Sequence, residues 1–388
     1  MSTSPRWEEV QADFPVNHDL IWMNNCGTTP AGRHVLAAMG EFLEGYASRG
    51  VLTGVRTYPE VKGSIKRRLA ALLNADPEEL ALIHNTSEGM NFISHGLSLV
   101  PGDEILVLEN EYPSNYYPWE HWRAKGVVLR TVPCGSSPRD FLASFEAALE
   151  GSSGRPRVAA LSAVHWCTGM PLPLQEAGRM CAVRRVDLVV DGAQGVGLVD
   201  LDMRACGILA MAFSAWKWLL GPLGLGVLYV DRRRLGDLRT VFKGAESVVQ
   251  DEGYLPYKEE LKPGADRFTH STANFNDWVY FESSLAYLDG IGFPRVRARI
   301  LELADRLRDG LRSRGFSLLS DGFGGARTGI VVAVHPNLDA AVAVRALKDR
   351  GIIAAERLGR IRLAPHIYNS EAQVDRVVEE LADLAVHP

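Results

Sequence analysis

Residues 211–230 read MAFSAWKWLLGPLGLGVLYV, and both the fold and the chemistry turn on how that stretch is understood. Lys217 stands between Trp216 and Trp218 in an otherwise apolar run, shortly after Ser214. A Gly221-Pro222-Leu223-Gly224 turn follows, and Val227 to Val230 then has the composition of a short buried strand. Taking an unpaired ammonium out of water costs several kcal/mol. A surface lysine avoids this by laying its methylene stem along apolar neighbours with its head in water. A lysine held in an apolar pocket instead loses its proton easily and becomes the nucleophile that forms a Schiff base with an aldehyde. The Ser-x-x-Lys spacing and the Gly-Pro-x-Gly turn favour the second account.

Upstream, VDLVVDGAQ (Val186 to Gln194) ends a strand-like apolar run in an acid, Asp191. An acid in such a place is commonly a helix cap or a loop residue. Paired with a buried lysine it has another use. Pyridoxal phosphate (PLP) needs a carboxylate to hold its pyridinium proton and a lysine to hold its aldehyde, and Gln194 can hydrogen-bond the phenolic oxygen of the same ring.

The composition frames that chemistry. With 388 residues and 46% hydrophobic content, the chain can bury a large core and divides naturally into a big domain and a smaller one. We expect an N-terminal arm over 1–20, a large PLP-binding domain over 21–255, and a small C-terminal domain with a connecting helix over 256–388. A polar stretch with Gly and Pro at 246–264 lies across that boundary. A net charge of -5 argues against nucleic acid or an anionic membrane surface as partner. Lys217 and several glycines interrupt the longest apolar run, so no membrane span is expected, and the N-terminus has no signal-peptide core. The five cysteines (Cys26, Cys134, Cys167, Cys181, Cys206) are odd in number and show no CxxC pairing. Neither a disulfide framework nor a metal site is expected, and the location expected is cytoplasmic.

From Leu80 onward strand and helix candidates alternate. Strands are predicted at 80–83, 104–108, 127–132, 158–164, 186–190, 211–213 and 227–230. Helical spacing recurs at 35–46, 61–73, from Gly89 to about 99, and at 116–124. This alternation predicts an α/β fold with a mostly parallel seven-stranded sheet covered on both faces. Residues 136–139 and 150–156 read as loops. A helical segment over 278–314, broken at Gly290 to Gly292, leads to a small α/β unit. That unit has strands at 316–319, 329–334 and 361–363 and helices at 340–350 and 371–386.

Thr86-Ser87-Glu88-Gly89 falls at the first strand-to-helix junction. A capping box accounts for it. So does a phosphate seat, because the first N–H groups of a helix are unpaired and the Thr86 and Ser87 hydroxyls add bonds. Position in the first βα unit of the sheet favours the phosphate. The GPLGLG run at 221–226 superficially resembles a nucleotide loop, but it precedes a strand, whereas the dinucleotide fingerprint follows one and opens a helix.

Asp191-Gly-Ala-Gln194, Phe213-Ser-Ala-Trp-Lys217 and Gly221-Pro-Leu-Gly-Leu-Gly226 together resemble the PLP core of the aminotransferase class V family. That family includes cysteine desulfurases, isopenicillin N epimerase-like proteins and kynureninases. The resemblance runs along nearly the whole chain. It takes in Asn24-Asn25-Cys26-Gly27-Thr28-Thr29-Pro30, Thr86 to Gly89, Glu111-Tyr112-Pro113-Ser114-Asn115, Ser271-Thr272-Ala273-Asn274, and Arg362 with Tyr368-Asn369. It implies PLP fold type I, with Lys217 bonded to the cofactor, Asp191 at the pyridine nitrogen and Gln194 at the 3-oxygen. It further implies that Thr86, Ser87 and Ser214 hold the phosphate and that Tyr112 stacks on the ring. Arg362 would clamp the substrate carboxylate, with Asn25 beside it. Thr272 would reach the phosphate of a neighbouring subunit, which makes a homodimer with active sites at its interface.

Three departures bear on the reaction. Trp216 replaces the histidine that desulfurases often place before the lysine, and His165-Trp166-Cys167-Thr168-Gly169 replaces their Ser-Asn pair. Between Gly351 and Arg362 there is no cysteine, and the segment is too short for a mobile loop carrying an acceptor thiol. Cys26 and Cys167 are candidates to lie near the pocket, although buried inert thiols are the commoner case. The expected substrate is an amino acid whose α-proton is removed to give an α-carbanion. Three branches follow, in this order: β-elimination by a C–S lyase on a cysteine-derived substrate, transamination, and epimerisation. The aromatics Tyr116, Tyr117, Trp166 and Trp216 suit a widened pocket, and core packing explains them as well. A PLP-binding protein without turnover needs the pocket but not Arg362, and that arginine argues against it.

Overall fold

The computed structural model describes residues 6–52, 57–151, 154–250, 253 and 255–386. The chain opens with α1 (Trp7–Ala12), a short strand β1 (Ile21–Trp22), and helices α2 (Arg33–Arg49) and α3 (Tyr58–Leu73). Strand β2 (Leu80–Ile83) then leads into α4 (Thr86–Gly96), and β3 (Asp103–Leu108) into α5 (Tyr117–Glu120). Strand β4 (Val128–Val132) leads into α6 (Pro138–Glu150), and β5 (Arg155–Ser162) into α7 (Leu174–Arg184). Three more strands follow: β6 (Asp187–Asp191), β7 (Ile208–Ser214) and β8 (Gly226–Val230).

These strands form one seven-stranded sheet in the order β2-β8-β7-β6-β5-β3-β4. All neighbours are parallel from β7 to β4, and β8 runs antiparallel between β2 and β7. The runs are apolar throughout because both faces are covered. Alternate residues divide between two cores: Met211 and Phe213 pack with α3, α6, α7 and the later helices, and Ala210 and Ala212 with α4 and α5. Gly89 permits the close seat of α4, since a Cβ there would lie 2.6 Å from Ala212 Cβ and 2.7 Å from Ile83 Cδ1.

Helices α8 (Phe275–Ile291) and α9 (Phe293–Ser313) connect the two parts of the molecule, and Gly292, at φ 92°, marks the break between them. Val296 and Ile300 of α9 face the large core, and Leu303, Leu307 and Leu311 face a separate smaller one. That smaller unit comprises β9 (Ser317–Leu318), β10 (Val331–Val334), α10 (Ala340–Asp349), β11 (Ile352–Ile353), β12 (Ala355–Arg357), β13 (Arg360–Leu363) and α11 (Glu371–Val386). Four of its strands make an antiparallel sheet in the order β12-β13-β10-β9. Strand β1 pairs with β11, and Ile21 and Met23 pack in the small core, so the N-terminal segment ties the two units together. No helix among the described residues is long and apolar enough to cross a membrane.

Two stretches depart from their expected loops. Residues 138–139 open α6, because Ser137 accepts a bond from the Asp140 N–H and Phe141, Phe145 and Leu149 form a buried stripe at four-residue spacing. Arg155 and Pro156 already belong to β5, where the Arg155 guanidinium pairs with the buried Asp103 carboxylate. Residues 116–124 also differ from a single helix, being a short α5 continued by a 3-10 turn over His121–Lys125.

Candidate active site

In a doubly wound sheet, ligands collect at the carboxyl ends of the parallel strands. Ser162, Asp191 and Ala212 lie side by side across β5, β6 and β7, and Ser214 ends β7 opposite Gly226. Beyond β7 the chain turns back through a loop closed by Ala215 N–H to Leu225 O (2.9 Å) and Gly221 N–H to Ala215 O (2.9 Å). That loop holds Lys217. Leu220 takes a left-handed φ of 56° in it, a conformation that costs a branched side chain about 1 kcal/mol or more.

A cavity of about 370 Å³ opens at this edge, and Lys217, Thr86, Ser87, Ser214, Gln194, Tyr112 and Arg362 all line it. Among the described residues Lys217 Nζ is in no hydrogen bond or ion pair. It sits 5.5 Å from the centre of the Tyr112 ring. Burial pushes the Lys217 ammonium below its ordinary value, while the Asp191 carboxylate opposes that shift. The result is an amine more easily freed of its proton, in a place open to a ligand.

Asp191 is buried, and its Oδ1 accepts from Ala193 N–H (2.9 Å) and its Oδ2 from Ser114 Oγ (2.8 Å). Burial raises its proton affinity, and the Lys217 ammonium and these two bonds lower it. The Thr86 and Ser214 hydroxyls bond each other (2.7 Å) at the start of α4, and the Asn85 side chain caps that helix by accepting from Glu88 N–H. Gln194 donates to Cys26 O (2.8 Å) and accepts from Trp218 Nε1 (3.1 Å), which leaves its second amide hydrogen for a ligand. Arg362 is 2% exposed. It donates through Nη1 to Trp166 O (2.7 Å), and its buried Nε has no partner.

Asp191 is not in the lining but lies directly behind Ser114 and Ala193, which are, and two other predicted residues stand elsewhere. Asn25 is fully buried but does not line the cavity: its Nδ2 donates to Ala364 O (2.6 Å) and its Oδ1 accepts from Tyr368 OH (2.5 Å). It fastens the N-terminal segment to the end of β13, the strand that carries Arg362. Thr272 is exposed and lines a separate hollow beside His84 and Gly224. Of the candidate aromatics, Trp166 and Trp216 line the cavity, whereas Tyr116 packs against the α4 core and Tyr117 points to solvent. Cys26 lines the cavity; Cys167 does not, and burial pushes its thiol up to about 11.

Sequence inspection left Ser114, Glu111 and Arg357 without roles. Ser114 holds Asp191 and lines the cavity, and Arg357 lines it from the end of β12. Glu111 is buried behind them and accepts from Ser162 Oγ (2.7 Å), Tyr112 N–H (2.7 Å) and Asn115 Nδ2 (3.0 Å). Burial, and then the Asp191 carboxylate, push Glu111 from its ordinary 4.5 to about 7. The folded protein therefore binds this proton more tightly than the unfolded chain. Stability from this group is full below pH 4.5 and is lost as pH rises to about 7. The cofactor-free protein should lose on the order of 3 kcal/mol across that window through Glu111. Urea unfolding from pH 5 to 8 should show a flatter profile for Glu111→Gln, and an identical slope in the variant would contradict this assignment.

The sequence profile of the aminotransferase class-V family matches residues 21–377. The chain belongs to the aminotransferase class-V family. As a class-V protein it is a PLP-dependent enzyme. It is 33% identical to the isopenicillin N epimerase of Amycolatopsis lactamdurans over 355 residues, 85% of this chain and 86% of that one. It is 26% identical to a probable cysteine desulfurase of Methanothermobacter thermautotrophicus, covering 98% of both chains. Among solved structures, the cystine C–S lyase C-DES, in complex with its product cysteine persulfide, superposes with a TM-score of 0.86 at 23% identity, covering 96% of this chain and 99% of that one. This last likeness shows that the class-V chain has the same fold type I architecture.

Proposed function

We propose that the protein is a β-eliminating C–S lyase acting on a cysteine-derived amino acid. The observation that carries the proposal is the unpartnered Lys217 amine in one cavity with the buried, carboxylate-free Arg362. The residues present fit PLP: an amine for its aldehyde, the buried Asp191 for its ring nitrogen, and the α4 N-terminus with Thr86, Ser87 and Ser214 for its phosphate. When bound, PLP supplies an aldehyde and an electron sink for the bonds at the substrate α-carbon. Asp191, held by Ser114 and the Ala193 N–H, would keep the ring nitrogen protonated. Lys217, its proton affinity lowered by burial, would take the substrate α-proton at Nζ. Arg362 holds the α-carboxylate, and the Trp166 carbonyl and the Asn25 fastening fix where its guanidinium points.

Elimination needs no second amino-group acceptor, whereas transamination must accommodate two substrates in one pocket. The likeness to a probable cysteine desulfurase also supports carbon–sulfur chemistry. A second reading, epimerisation, is favoured by the epimerase relative at 33% identity. Single-turnover mixing with an S-substituted cysteine decides between them: the lyase gives pyruvate, ammonia and a sulfur product. Loss of optical activity without pyruvate marks an epimerase. An enzyme that stops after one turnover and restarts only with a 2-oxo acid is an aminotransferase.

For Arg362, replacement by lysine keeps the charge and loses the two-pronged donor geometry. Arg362→Lys should retain PLP and bind amino acids about tenfold or more weakly in a spectral titration. Unchanged affinity would remove Arg362 from the site.

We also propose a cytoplasmic homodimer. The exposed Leu36, Leu43 and Tyr46 of α2 supply apolar surface for a second copy, and Thr272 lies on an outer hollow from which it can serve a partner's cavity.

A further inference from the structure

The cavity holds one more cation than the proposed reaction uses. Lys217, Arg357 and Arg362 line it, and the one carboxylate close behind the lining, Asp191, acts on Lys217. Arg357 and Arg362 come from one hairpin, in which Arg357 pairs with Arg360 and Ala355 with Arg362. In such a pairing Arg357, Arg360 and Arg362 share a face of the sheet, since cross-strand partners and alternate residues point the same way. Like charges placed directly opposite destabilise a strand pair. Here Arg357 faces Arg360, and no ion pair among the described residues relieves either of them or Arg362. Arg357 is half-buried, and it donates through Nη1 only to the neighbouring Glu356 carbonyl (2.6 Å).

The hairpin turn is two residues long. Leu358 and Gly359 both have positive φ, 53° and 72°, as a two-residue type I′ connection requires. Glu356 faces away from the arginines and accepts from Gly359 N–H (2.6 Å), bracing the turn. The sequence thus spends a strained leucine and a repulsive arginine pair to hold Arg357 at the cavity. A negative charge on a ligand is what would offset that arrangement. The PLP phosphate is accounted for at the N-terminus of α4, and the substrate α-carboxylate at Arg362.

We propose that Arg357 recognises a carboxylate at the far end of the substrate side chain. Resting on the C–S lyase reading, this makes the substrates cysteine S-conjugates that carry an acidic group on the sulfur substituent. Trp166 and Trp216, which line the same cavity, flank that substituent with apolar surface.

The test uses the PLP-loaded enzyme with S-carboxymethylcysteine and S-carbamoylmethylcysteine, which match in size and differ in charge. Binding is followed by the cofactor's absorbance, and turnover separately by pyruvate. The acid should bind about tenfold or more tightly than the amide. Arg357→Gln should shrink that ratio to within about twofold, and Arg357→Lys should restore part of it. Arg362→Gln should weaken both ligands by a similar factor. Equal affinities in the natural enzyme, or a ratio unmoved by Arg357→Gln, would overturn the proposal. So would an Arg357→Gln variant that loses PLP or weakens both ligands alike, which would place this arginine on the cofactor phosphate or the α-carboxylate. Charge discrimination without pyruvate upholds the role of Arg357 and overturns the C–S lyase reading instead.

Discussion

Lys217→Ala should lose covalent capture of PLP and drop in turnover by about 10⁴-fold or more. On the proposed function one side chain serves twice, as the amine that would hold the aldehyde and as the base that would take the α-proton, and proton transfer alone contributes about 10²–10⁴. Stability should change little, because the Lys217 amine makes no hydrogen bond or ion pair among the described residues, and the charge compensation that the buried Asp191 loses is offset by no longer burying an ammonium. PLP should still bind without a covalent bond, through Asp191 and the α4 terminus. Steady-state turnover and the visible absorbance of the Schiff base check this together. A variant that keeps either would show that another amine does the work.

Asp191→Asn should retain the cofactor and lose turnover by about 10²–10³-fold, the range seen when one preorganised electrostatic group is removed. The asparagine Oδ1 can still accept from Ala193 N–H and its Nδ2 can donate to the Ser114 hydroxyl, but it carries no charge to hold a proton on the ring nitrogen. Because burial penalises the Asp191 charge in the cofactor-free protein, the variant should unfold at the same or a higher temperature. A fall in turnover that tracks a fall in melting temperature would assign Asp191 to the scaffold.

Local pattern explains which parts of this site were legible in the sequence. Runs such as Leu80–Ile83 and Gly226–Val230 announce themselves because each is apolar on both faces and closed by turn residues. Asp191 and Lys217 stand out because each puts a charge where such a run ends. Helix α6 was hidden because its opening Ser-Pro reads as loop until the buried stripe behind it is counted. Ser114 carries no such mark: it meets Asp191 across 77 residues of chain, and only the sheet brings them together. The Trp166 carbonyl reaches Arg362 across 196 residues, between the two structural units. Asn25 illustrates the converse, a motif residue beside the site whose two side-chain hydrogen bonds go to the small unit. Arg357 is one of many arginines in the sequence, and its place at the cavity follows from a two-residue turn.

Lys217 is the residue proposed to hold PLP. Borohydride reduction of the PLP-loaded protein, followed by proteolysis and peptide mapping, tests it directly. The reduced cofactor should be recovered on one peptide, attached to Lys217. Recovery on any other lysine, or on none, would contradict the account.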